Sequence, residues 1–109
     1  MWLSCPYLGA DVELTDERVT HIRRRHDDVL APEYSLIRET LTDPDVVRAR
    51  PTAPDELLFV REFDSLVVDQ HVIVVVRQDE PPDDRRAGRF WVITAYRSPD
   101  EPAMGRVEW

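Results

Sequence analysis

The run "HVIVVV", His71 to Val76, constrains this chain more than any other stretch. Five β-branched residues follow one another without a polar interruption. Such side chains lose rotamer freedom in a helix and pack well on a pleated surface. With no alternation, neither face can be left to water, so the run predicts a central strand covered on both sides. A chain of 109 residues can build one such core but not two, and a single domain over 1–109 is expected.

Other segments sort around that strand. "LLFVREF" (Leu57–Phe63) and "FWVITAY" (Phe90–Tyr96) are expected to be strands, and Val46–Arg50 a shorter one. Strict alternation would put Phe90, Val92, Thr94 and Tyr96 on one face, and Trp91, Ile93 and Ala95 on the other. "ARPTAPDE" and "RQDEPPDDRRAG" are expected loops, and "GRVEW" a short edge strand that anchors Trp109. Before residue 45 the period is helical instead. Thr15 is a suitable N-cap, and Asp16 and Glu17 suit the positive end of a helix that runs to about Asp28. A second helix is expected over Glu33–Thr42, with Tyr34, Ile37 and Leu41 on one face, ended by "DPD" at Asp43–Asp45. Asp11–Leu14 is a short strand or an extended lead-in. Helices followed by strands predict an α+β fold: two N-terminal helices packed on one face of a roughly four-stranded antiparallel sheet.

The formal net charge is −8. That balance argues against a protein that coats nucleic acid by non-specific attraction, but leaves room for a local basic pocket. Cys5 is the only cysteine, so neither an internal disulfide nor a cysteine-rich zinc site is expected, and a partly buried, inert thiol is. No apolar run reaches the roughly 18 residues that span a bilayer, and "MWLSCPYLGADVEL" lacks the pattern of a signal peptide. A cytoplasmic protein without membrane contact is expected.

Against this acidity, "ERVTHIRRRHDDV" (Glu17–Val29) gathers four arginines and two histidines. Unrolled at about 100° per residue, Val19, Ile22 and His26 share the core face, while Arg18, His21 and Arg25 form a stripe about 60° wide. His21 and His26 are five apart, about 140° around the helix, whereas zinc helices place two histidines at i and i+4. A shared metal is therefore not expected. His21 has an imidazole suited to proton transfer near neutral pH, and Arg25 could clamp a phosphate through parallel N–H donors. The alternative is a solvated helix in which Arg24 pairs with Asp28 and His26 holds the following loop. In the strands, Arg61 interrupts an apolar segment and needs an anion, either a neighbouring carboxylate or a substrate. Thr94 and Tyr96 are candidate substrate positioners, and equally ordinary sheet residues. Together these side chains have the types needed for metal-independent RNA cleavage.

The ordered pieces "LTDER", "HIRRRH", "DPD", the valine strand and "TAY", spread over nearly the whole chain, resemble a family of small bacterial proteins similar to the phage-associated barnase–EndoU–colicin–RelE-like nucleases. The resemblance implies N-terminal helices before a four-stranded antiparallel sheet, and metal-independent ribonuclease chemistry in toxins or effectors. It implies catalytic roles for His21, Arg25, Arg61, Thr94 and Tyr96, with His26 and Arg18 at the substrate. RNA rather than DNA would be the substrate, a small antitoxin-like protein the partner, and no cofactor would be needed. The rival reading is a non-catalytic module on the same scaffold that binds a protein through its acidic surface and through Trp2, Tyr7 and Trp109.

Overall fold

The computed structural model describes residues 1–30, 33–50, 52–79 and 89–100, with the backbone alone at Pro54, Arg106 and Val107. The chain opens with β1 (Trp2–Cys5), a 3-10 turn (Pro6–Leu8) and β2 (Ala10–Glu13). Gly9 closes that turn at φ +64, donating its N–H to the Pro6 carbonyl, a left-handed conformation that glycine adopts without a Cβ clash. Next come α1 (Asp16–His26), a 3-10 turn (Asp27–Val29) and α2 (Ser35–Thr42). Strands β3 (Val46–Arg50), β4 (Ala53–Glu62), β5 (His71–Asp79), β6 (Arg89–Ser98) and β7 (Arg106–Val107) complete the chain.

All seven strands form one sheet in the order β1-β2-β6-β5-β4-β3-β7. Every pairing is antiparallel except β2 with β6, which is parallel and rests on the pair Glu13–Trp91. The expected roughly four-stranded antiparallel sheet is thus corrected to a larger, mixed one. Two of the added strands fall where short ones are expected, β2 at the Asp11–Leu14 segment and β7 within "GRVEW", while β1 has four residues, too few to display a period of two convincingly. The loop expected at "ARPTAPDE" is also corrected: β4 already begins at Ala53, while Pro51 lies outside the described residues. So do Glu80–Gly88 of the second expected loop, and Trp109.

The helices follow local chemistry. Thr15 caps α1, its hydroxyl accepting from the Arg18 N–H at 3.2 Å, and Asp16 and Glu17 occupy the first turn. Arg23, Arg24, Arg25 and His26 fill the last turn, where positive charge suits the negative end of the helix dipole. Part of the arginine enrichment therefore has a local cause. α2 starts after Tyr34, held in a left-handed conformation at φ 61, two residues later than expected. Asp43, immediately before Pro44, ends it.

The valine run is covered on both faces, for the reason its composition suggested. Val72, Val74 and Val76 join Phe59, Val47, Val92 and Ala95 beneath Val19 and Ile22 of α1 and Leu36, Ile37 and Leu41 of α2. Ile73 and Val75 form a second apolar cluster with Leu58 and Val60, flanked by Val46, Ile93 and Tyr96. Thr40, buried in α2, donates its hydroxyl to the Leu36 carbonyl at 2.6 Å. Cys5 is buried, and burial raises its thiol pKa, which keeps it protonated and unreactive.

One irregularity resets β6. Thr94 pairs with Val75, but Val92, two residues earlier, pairs with Val76. Ile93 is the extra residue of a β-bulge, and alternation changes phase there. Val92 and Ala95 consequently share the helix-covered face, while Ile93 and Tyr96 pack on the second face. The strict alternation expected for Phe90–Tyr96 is corrected accordingly.

Candidate active site

β2 ends at Glu13, opposite Trp91, and α1 begins three residues later. Beyond Trp91 it is α1 that packs along β6 on this side. Two contacts fix the helix there. The Arg18 guanidinium donates to the carbonyl of Ile93, the bulge residue, at 3.4 Å. The His26 ring lies on the Tyr96 ring, centroids 5.7 Å apart and tilted by 44°. The first partner is a main-chain carbonyl at the edge of β6 and the second a ring on the second face of the sheet, so α1 lies along the rim of the sheet there.

Glu17, Arg18, Thr20, His21, Arg24 and Arg25 line an open hollow of about 450 Å³ on that rim. Arg18 pairs with Glu17 at 2.8 Å. No carboxylate among the described residues engages Arg24 or Arg25, so the hollow carries uncompensated positive charge. Partial burial, then the charges of Arg18 and Arg25 and the His26 imidazole, hold the His21 pKa below its ordinary 6.5, with Glu17 pulling the other way. His21 is therefore a neutral imidazole at neutral pH, able to accept a proton. An anion bound between the arginines would offset their charge and raise the proton affinity of His21 as it arrives. A slightly larger hollow, about 500 Å³, lies between Arg23, Asp27, Leu30, Glu33 and Tyr34. Its two carboxylates against one arginine make it a poor place for a phosphate.

The remaining candidates divide. Thr94 and Tyr96 reach the second face, and the Thr94 hydroxyl is enclosed without a hydrogen-bond partner among the described residues. Arg61 does not join them. It pairs across the sheet with Val72, on the helix-covered face, and one guanidinium nitrogen donates to the Asp43 carbonyl at 2.7 Å and its carboxylate at 3.0 Å. Its charge also sits 5.3 Å from the centre of the Phe63 ring. Arg61 thus ties the end of α2 to β4. The pairing expected between Arg24 and Asp28 is replaced by Asp28 with Arg97 at 3.6 Å, and Arg97 also donates to the carbonyls of Val68 and Asp69.

Two features escaped the sequence. Trp91 and Arg89, stacked 5.3 Å apart, extend the rim beyond Arg18. His71 opposes both Glu62 and Ser98, its Nε2 3.6 Å from the Glu62 carboxylate and its Nδ1 enclosed without a partner among the described residues. An aromatic beside an arginine in "GRFW" was the available signal for the first. The second depends on strand register, which no local pattern reveals.

Among the described residues, no three His, Cys, Asp or Glu side chains are grouped so as to hold a metal ion, and no helix is long and apolar enough to cross a membrane. No curated protein and no solved structure gives a match. The family of phage-Barnase-EndoU-ColicinE5/D-RelE like nuclease 2 matches residues 6–106. That span takes in the capped helix, the bulged strand and the basic rim alike, and the chain belongs to this nuclease-like family.

Proposed function

We propose that the protein is a metal-independent endoribonuclease acting as a toxin or effector, with its reaction centre on the α1 rim. His21 takes the proton from a ribose 2′-hydroxyl. The 2′-oxygen attacks phosphorus and the bond to the 5′-oxygen breaks, with a proton delivered to that leaving oxygen. The products are a 2′,3′-cyclic phosphate and a 5′-hydroxyl. Arg25 holds the phosphate oxygens and offsets the charge that grows on them, with Arg18, already paired to Glu17, at the edge of the substrate. The His26–Tyr96 pair is the proton donor on the sheet side, and Thr94 positions the ribose. A small antitoxin-like protein would keep such an activity in check.

The observation that carries this reading is His21, its pKa depressed between two arginines on the wall of a cationic hollow. Incubation of the protein with single-stranded RNA in the presence of a chelator tests it. Cleavage should persist, and His21→Ala should lower it by roughly 10²- to 10⁴-fold, the usual contribution of a positioned acid–base group. The circular dichroism spectrum should not change. No cleavage by the wild type, loss of cleavage to the chelator, or full activity in the variant would overturn the proposal.

A second reading, a non-catalytic module that binds a protein, is favoured by the net charge of −8 and by Trp2, 60% exposed on edge strand β1. Absence of toxicity on expression, together with a stable complex with a protein, would favour it.

A further inference from the structure

Next to the cationic hollow is another of about 280 Å³, bounded by Thr15, Glu17, Arg18, Arg89 and Trp91. It holds several times the roughly 30 Å³ share of one water molecule, so it has room for a chemical group. Glu17 and Arg18 line both hollows, which makes them neighbours along one groove.

Their chemistry differs. In the second hollow each arginine already has an acid. Arg18 is paired with Glu17 at 2.8 Å, and Arg89 contacts one Glu13 oxygen through two nitrogens, at 3.0 and 2.8 Å. That cancellation makes the place poor for a second phosphate and suitable for an uncharged polar ring. The indole of Trp91 supplies a flat surface, with the Arg89 guanidinium over it. Its N–H has no acceptor among the described residues. Aromatic and guanidinium planes are the surfaces on which unpaired bases stack, and a base locked in a duplex has no free face to offer.

We propose that the hollow at Trp91 and Arg89 is a subsite for one unpaired nucleobase, next to the phosphate held at Arg25. This rests on the ribonuclease reading and narrows it: the substrate is single-stranded, and one nucleotide beside the scissile bond must carry a base. The parallel pair Glu13–Trp91 builds the subsite, because β2 leaves the sheet at that point and opens the edge of β6 beside Trp91.

The test separates binding from cleavage by using a 2′-O-methyl RNA hexanucleotide, which has no attacking hydroxyl. Its affinity is measured by fluorescence anisotropy with a base present at every position, then with one abasic position at a time. A single abasic position should weaken binding to the wild type by roughly five- to a hundredfold, the range that stacking of one base on an aromatic ring supplies. Trp91→Ala should weaken the intact strand similarly and be insensitive to the same abasic position. The same sequence as a duplex should bind no better than the abasic strand. Equal affinity for all abasic strands, or an unchanged abasic penalty in Trp91→Ala, overturns the subsite even if the protein cleaves RNA. The abasic series on the wild type stands on its own if the variant does not fold. Base-dependent binding without cleavage of ordinary RNA overturns the catalytic reading and leaves a base-binding groove.

Discussion

The last turn of α1 and the end of β4 each carry an arginine, and the two meet different fates. Arg61 on β4 is engaged by the carbonyl and the carboxylate of Asp43, with the ring of Phe63, just past the strand's end, against its charge. Among the described residues no acid answers Arg25 on α1, and its charge is felt by His21. The difference lies in what surrounds them. The carboxylates at the Arg61 end of the sheet are held at fixed positions, with Asp45 accepting from the Glu62 N–H at 2.8 Å and Asp28 paired with Arg97. Among the described residues that line the cationic hollow, Glu17 is the one acid, and Arg18 takes it. A protein with a large negative balance can thus keep one region positive, provided its acids are distributed elsewhere.

Paired substitutions put that contrast at risk. Arg25→Ala should lower kcat/KM for single-stranded RNA by about a hundredfold, the cost of removing one preorganised partner of developing charge. Arg61→Ala should leave kcat/KM within about twofold and lower the unfolding free energy by about 1 kcal/mol, as expected when a half-exposed ion pair with a main-chain bond is lost. Denaturant titration and initial rates on both variants check this; equal losses of activity would erase the distinction.

A smaller effect sharpens it at the sheet. The enclosed Thr94 hydroxyl has no partner among the described residues, and an unsatisfied buried hydroxyl costs about 1–3 kcal/mol. Thr94→Val should therefore raise stability by about 1 kcal/mol while lowering cleavage, a trade typical of functional positions. A variant that is stabilised and fully active would return Thr94 to the scaffold.

The smallest effect is one of direction. His21 acts as a base only when unprotonated, so kcat/KM rises with pH through its pKa, and the acid limb should have its midpoint below 6.5. Glu17→Gln removes the charge that favours the imidazolium and should move the limb to still lower pH. Arg24→Ala, which alters none of the groups that shift His21, should leave it in place. A midpoint at or above the ordinary histidine value would mean that burial and the neighbouring arginines do not govern His21.

The local features were legible because local chemistry produces them. Thr15 as cap, the Arg18–His21–Arg25 stripe, and the two-sided valine strand each depend on residues within a few positions of one another. The identity of the anion at Arg61 was not, because Asp43 lies eighteen residues away and only the α2–β4 register joins them. Trp91 lies an odd number of residues from Tyr96, so uninterrupted alternation sends the two aromatics to opposite sides, and only the bulge in β6 reverses this. The parallel β2–β6 pair left no trace either, since a single bridge needs no sequence pattern.

That odd spacing gives the extra residue in β6 a meaning for descent. A loss of one codon at Ile93 would leave a strand of ordinary hydrogen bonding, with Val92 still opposite Val76 and Thr94 opposite Val75, so Ala95 and Tyr96 would keep their faces. What would vanish is the main-chain carbonyl that Arg18 reaches, and with it one of the two contacts that seat the helix against the strand. A lineage could loosen that seat in one step, with every candidate side chain still encoded in its gene.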